Sequence, residues 1–173
     1  MAYYFGYGSN MSSRYLQSVR RVFPSRSTPA TLNDYQLVMN LKGPNFIEPS
    51  FANIRYLKGA KVEGILHEIK QIDLDRIIAS EGETYEIIKA PVELCGTKLV
   101  ACTFRSKEEL DKEIPASRRY MKILIKAAID NGLSREYTNK LKMKGSVYYP
   151  LLSEIFAIRI YLWVRRRSRH KSA

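Results

Sequence analysis

The spacing of apolar and polar residues changes period several times along the chain. Residues 2–7 (AYYFGY) form a continuous apolar run, short enough for a buried strand. Residues 12–22 (SSRYLQSVRRV) set Tyr15, Leu16, Val19 and Val22 at helical spacing behind a serine, which predicts a capped helix. Residues 24–29, bracketed by prolines, read as a loop, and residues 30–40 (ATLNDYQLVMN) alternate as a strand. Residues 42–50 (KGPNFIEPS) hold Gly, two Pro and Asn and read as an irregular loop. Two more strands follow, 51–57 and 60–69, with a turn at Lys58-Gly59. In the second, Val62, Gly64, Leu66 and Glu68 face one way, and Ile65, His67 and Ile69 the other.

The period then lengthens. Residues 72–83 predict a short helix capped by Asp73, with Leu74, Ile77 and Ile78 on one face and Gly82 as its stop. Residues 84–94 and 98–105 predict a strand pair joined through Cys95-Gly96-Thr97. The longest helical pattern covers 117–133, with a stripe of Tyr120, Ile123, Leu124, Ala127 and Ala128 and an end at Asn131-Gly132. A second serine-capped helix covers 134–144. Strands and helices do not alternate, which argues against a doubly wound parallel sheet. The order predicts an α+β fold, a small mixed β-barrel or sheet with flanking helices. One domain is expected over 1–147, followed by an apolar-then-basic tail, 148–173, that ends in a basic helix.

Composition changes this picture little, and charge changes it more. At 173 residues, 45% hydrophobic and 27% charged, the chain has enough apolar material for one core. Its net charge is +12, and Arg165, Arg166, Arg167, Arg169 and Lys171 contribute five positive charges near the C-terminus. Such a run points to an anionic surface, membrane headgroups or nucleic acid. Cys95 and Cys102 have no CxxC spacing and read as small buried residues in a reducing compartment. His67 and His170 are too far apart in sequence to suggest a zinc site. Met1 to Tyr7 lacks a basic n-region and is too short for a secretory h-region, so a cytoplasmic location is expected.

Two stretches carry candidate chemistry. In the first, Gly6-Tyr7-Gly8-Ser9-Asn10 lies between a predicted strand and a predicted helix. It lacks the third glycine of a dinucleotide site and the Gly-Lys-Ser/Thr of a phosphate loop, so nucleotide binding is a weak reading. Two readings remain: a tight strand exit, or a nest of backbone N–H groups suited to a carboxylate or an oxyanion. In the second, Glu81 closes a predicted helix next to Gly82, with Ile77 and Ile78 nearby. A helix C-terminus disfavours negative charge, and so does burial. A carboxylate kept there is a candidate general base, with a solvated surface glutamate as the alternative.

Taken in order, Tyr7-Gly8-Ser9-Asn10 after an aromatic strand, Glu81-Gly82 after a Leu/Ile helix, and RRYMKILIKAAIDNGLSREYTNKLK at 118–142 resemble the gamma-glutamylcyclotransferases. The resemblance implies a small mixed barrel with helices packed outside it. It implies an enzyme that cyclises a gamma-glutamyl compound and releases 5-oxoproline and a free amine, a step of the kind found in glutathione metabolism. It implies a Tyr7, Gly8, Ser9, Asn10 loop that binds the glutamyl group and a Glu81 that acts as acid and base. Tyr85 and Tyr120 match pocket tyrosines, and neither metal nor cofactor is implied. The interval from Glu81 to Tyr85 is shorter than in the mammalian-type enzymes, and Phe104 stands near where a pocket tyrosine is often found; both bear on substrate preference. The helix pair leans toward enzymes acting on gamma-glutamyl amino acids. The alternative is a catalytically idle small-molecule binder.

The tail has no counterpart in that family. From Tyr148 to Val164 it is apolar except for Ser153, Glu154 and Arg159, and Trp163 precedes the arginine run. Seventeen residues with two charges are short for a membrane span. The expectations are a helix packed on the domain, a homodimer contact, or a helix lying peripherally on a membrane surface. Nucleic acid ranks last among the partners.

Overall fold

The structure, a computed structural model, describes the chain from Met1 to His170, and its side chains as far as Trp163. Five strands close into a barrel: β1 (Ala2–Gly6), β2 (Arg26–Asn45), β3 (Glu48–Ile69), β4 (Tyr85–Leu94) and β5 (Thr97–Ser106). Their order around the barrel is β1-β3-β2-β4-β5. All neighbours are antiparallel except β1 and β5, which run parallel through Tyr4 opposite Cys102. A two-stranded parallel patch joins β6 (Ala116–Ser117) to β7 (Ser146–Val147). The helices are α1 (Ser13–Tyr15), α2 (Gln71–Glu81), α3 (Arg118–Asp130), α4 (Arg135–Met143) and α5 (Leu152–His170). The α+β barrel expected from the pattern is the fold observed.

Strand β1 shows how the period of two organises the core. Phe5 points into a large cluster with Leu32, Ile54, Ile65, Val92 and, from the helices, Tyr120, Leu124 and Leu141. Its neighbour Tyr4 points the other way, into a second cluster with Leu16, Ile69, Leu74, Ile77 and Phe104. One strand thus backs two cores, and α2 is held on the second by Leu74 and Ile77.

Four expectations about local structure are corrected. The predicted helix at 12–22 is only the one turn of α1, followed by a π-turn over Leu16–Arg20, and it ends at Arg21 with φ 56°. The predicted loops at 24–29 and 42–50 belong to strands, for β2 begins at Arg26 and meets β3 across a tight turn at Phe46-Ile47. Pro44 and Pro49 are tolerated there because the ladder is irregular between Lys42 and Asn45. The turn at Lys58-Gly59 is a bend within one strand: Gly59 at φ 81° lies opposite Asp34 at φ 62°, and Gly59 N–H donates to Asp34 Oδ1 at 2.8 Å. A side chain at Gly59 would strain that left-handed backbone. Helix α2 starts at Lys70 without a side-chain cap; Asp73 sits in its first turn and pairs with Arg76 at 2.7 Å. The serine caps expected at Ser12 and Ser134 are present, since they accept from the backbone N–H of Tyr15 and Tyr137, and Ser117 caps α3 in the same way through Tyr120 N–H.

Cys95 is exposed in the β4–β5 turn and Cys102 is half-buried, so only the second approaches the buried position expected of both. Both are free thiols.

Candidate functional site

Beyond β1 the chain leaves the barrel as Tyr7-Gly8 and tightens into a 3₁₀ turn, Ser9–Met11, with Met11 N–H donating to Gly8 O at 3.0 Å. A turn of this kind leaves its first backbone N–H groups without partners inside the turn. Gly8 is thin for a local reason: a Cβ there would stand 3.2 Å from the Tyr120 hydroxyl. The small residue that could lie against a ligand therefore lies first against a tyrosine of α3.

Asn10 links this turn to Glu81. Its Nδ2 donates to Glu81 Oε1 at 3.0 Å and to the Tyr4 hydroxyl at 2.8 Å. Glu81 is the last residue of α2, and Gly82 breaks the helix with φ 77°. Its side chain is 16% exposed, so the carboxylate is neither in bulk solvent nor sealed. The π-turn brings in a residue absent from the sequence reading. Arg20, with 7% of its side chain exposed, donates from Nη2 to Glu81 Oε1 at 2.7 Å and from Nη1 to Ser80 Oγ. The wider π-turn swings Arg20 from the outer face that the helical pattern implied toward α2. Burial alone would weaken the hold of Arg20 on its proton, but the Glu81 carboxylate raises it further above the ordinary arginine range. Both bonds fall on Oε1; among the described residues none falls on Oε2.

The tyrosines divide into struts and rim. Tyr7 is buried and donates its hydroxyl to Phe104 O at 2.7 Å, so its side chain ties the loop to β5. The Tyr120 hydroxyl accepts from Ala52 N at 3.3 Å beside Gly8. Tyr85 is half-buried, packs edge-on against Phe104, and has its hydroxyl 3.5 Å from Ala52 O. Burial pushes the hydroxyls of Tyr4, Tyr7, Tyr85 and Tyr120 above the usual tyrosine range, and Glu81 adds to the shift in each. They stay neutral at physiological pH. Gly8 and Ser9 are half-buried, and together with Glu81 and Tyr85 they form the accessible part of the site. Two open grooves, of about 660 and 220 Å³, lie elsewhere on the barrel and include neither Glu81 nor residues 7–10.

A buried histidine holds the turn from below. His67 Nε2 lies 3.0 Å from Asn10 O, and Ser27 Oγ lies 2.8 Å from Nδ1. A carbonyl only accepts, so Nε2 carries the proton and Nδ1 accepts from the serine. The sequence pattern placed His67 on an apolar face between Ile65 and Ile69, and that contradiction in polarity was the only signal of its role. Burial lowers its pKa from the usual 6.5 to about 4, although the bond to Asn10 resists. Above about pH 6.5 it is neutral whether the chain is folded or not. As pH falls from about 6.5 to about 4 the unfolded chain takes up a proton that the folded chain refuses, so stability is lost, about 3 kcal/mol in all. Urea unfolding of the parent and of His67→Gln at a series of pH values across that window should give a steeper loss for the parent; parallel curves would remove His67 from this account.

All seven residues singled out from the sequence lie in or beside this constellation, except that the Tyr7 side chain is committed to β5. Arg20, His67, Tyr4 and Ser80 were not legible from spacing.

Residues 61–141 match the model of the AIG2-like family. A curated relative, the gamma-glutamyl cyclotransferase aclK of Aspergillus oryzae, is 25% identical over 87% of this chain, and the chain spans 63% of that protein's length. Among solved structures, a human protein described as uncharacterized superposes with a TM-score of 0.75 at 24% identity, covering 86% of this chain and 90% of the other. One titled gamma-glutamyl cyclotransferase superposes at 0.73 with 22% identity, covering 91% of this chain and 98% of the other. At those identities the superpositions speak for the fold. Over residues 61–141 the chain is thus similar to the AIG2-like family, and its fold is like that of the structure titled gamma-glutamyl cyclotransferase.

Proposed function

We propose that the chain is a gamma-glutamylcyclotransferase that closes a gamma-glutamyl compound, a gamma-glutamyl amino acid by preference, into 5-oxoproline and releases the free amine. The observation that carries this reading is the Asn10–Glu81 bond, which brings a partly sheltered carboxylate to the thin loop across 71 residues of sequence. The likeness to the curated gamma-glutamyl cyclotransferase supports the reaction class.

The chemistry needs little else. The α-ammonium of the substrate gives a proton to Glu81 Oε2, the oxygen not engaged by Arg20 or Asn10. The freed amine attacks the γ-carbonyl carbon of the same molecule, and the C–N bond to the departing amine breaks. The attacking nitrogen gives up two protons and the departing nitrogen gains two, so one carboxylate can shuttle both. Because nucleophile and electrophile are tethered, holding the curled conformer supplies much of the rate. Backbone N–H groups at Gly8–Asn10 stabilise the oxygen that gains charge, and Tyr85 and Tyr120 line the glutamyl subsite.

A second reading, a catalytically idle binder, is favoured by the Arg20–Glu81 pair, since a guanidinium already compensates the carboxylate. Incubating the purified full chain with gamma-glutamyl dipeptides, glutathione and a gamma-glutamylamine, and assaying 5-oxoproline, separates the two. Release from a dipeptide is the expected result; binding without turnover of any of them would establish the idle reading.

A further inference from the structure

We propose that the outward face of α5 docks on an anionic lipid surface. The helix has two unlike sides. Ser153 is buried, and Phe156, Ala157 and Ile160 are half-buried, on the side that packs toward α2 and the π-turn. The approach to α5 is fixed as well, with the Phe46 ring edge-on to Tyr149 at 5.2 Å and Arg118 over the Tyr148 ring. On the other side, Ile155, Ile158 and Leu162 fall at helical spacing and are 57%, 62% and 47% exposed, with Leu151 and Leu152 exposed just before them. Between 151 and 163 the charged residues are Glu154 and Arg159 alone. A run of large apolar side chains facing water asks for a partner.

Charge selects the partner. The apolar stripe is followed in sequence by Arg165, Arg166, Arg167, Arg169 and Lys171, whose side chains lie outside the described residues. Pairing two copies through this face would bring together chains that each carry +12. An anionic bilayer surface takes both features at once: acyl chains receive the isoleucines and leucines, and headgroups receive the cations. Trp163 stands at the boundary between the two stretches, half-exposed, at the level where indoles favour the interface. None of the described helices is long and apolar enough to cross a membrane, which fits a helix that lies on one.

Flotation of the full chain with phosphatidylcholine vesicles, with and without phosphatidylserine, tests this. Binding should need phosphatidylserine, weaken as sodium chloride is raised, and shift the emission of Trp163, the single tryptophan, to the blue. The combined exposed-face variant I155S, I158S, L162S should bind roughly tenfold more weakly or worse. No binding to phosphatidylserine vesicles overturns the proposal, and so does undiminished binding by the triple variant. A chain that sediments as a dimer, becomes monomeric in the triple variant and ignores vesicles would assign the face to a second copy. Salt-sensitive binding to duplex DNA without vesicle binding would assign the tail to nucleic acid.

Discussion

Replacing Glu81 by glutamine should lower 5-oxoproline release by about 10²–10⁴-fold while leaving the protein folded. The two halves of that expectation have separate causes. Glutamine keeps an acceptor oxygen where Oε1 stands, so Asn10 Nδ2 and Arg20 Nη2 retain their hydrogen bonds, while Arg20 loses its counter-ion and the variant is less stable than the parent. What disappears is a basic oxygen able to take a proton and return it. The loss should therefore appear in kcat, with KM changing little. Steady-state kinetics on the best dipeptide, beside circular dichroism of both proteins, is the measurement. A variant that is folded and as active as the parent would remove Glu81 from the chemistry and with it the proton shuttle.

Replacing Arg20 by alanine should destabilise the fold by about 3–5 kcal/mol, as expected when one member of a buried ion pair is removed and the other is left uncompensated. Two further losses add to this one: Ser80 Oγ loses a donor, and Tyr15 loses the guanidinium stacked 5.7 Å from its ring. A difference below about 1 kcal/mol at neutral pH, the size of an exposed pair, would mean that Arg20 is not the structural counter-ion described.

How much of this could be read from the chain depended on the kind of signal. The β4–β5 pair and helices α3 and α4 were legible because alternation, caps and turn residues agree locally. The β2–β3 ribbon was misread in three places, at 24–29, 42–50 and 58–59. Pro44, Pro49 and Gly59 usually break strands, and here irregular pairing absorbs them. Nothing within a window of a few residues announces that a bulge will do so. That Tyr7–Asn10 and Glu81 share one site was legible only through family likeness, because a carboxylate and a glycine loop say nothing separately about meeting. Arg20 was illegible for a geometric reason: a π-turn adds one residue to a turn and so rotates every later side chain away from its helical address. The Gly8 contact with Tyr120 was equally hidden, since it depends on how α3 docks.

The closure of the barrel through β1 has a consequence for how the protein is made. Strand β1 pairs with residues 65–69 and reaches Cys102, so its partners are synthesised long after it. Until they emerge, the turn that carries Asn10 has no anchor and the carboxylate at position 81 has no cradle. Assembly of this constellation is thus deferred by the entropy of long-range loop closure until β3 and β5 have been made.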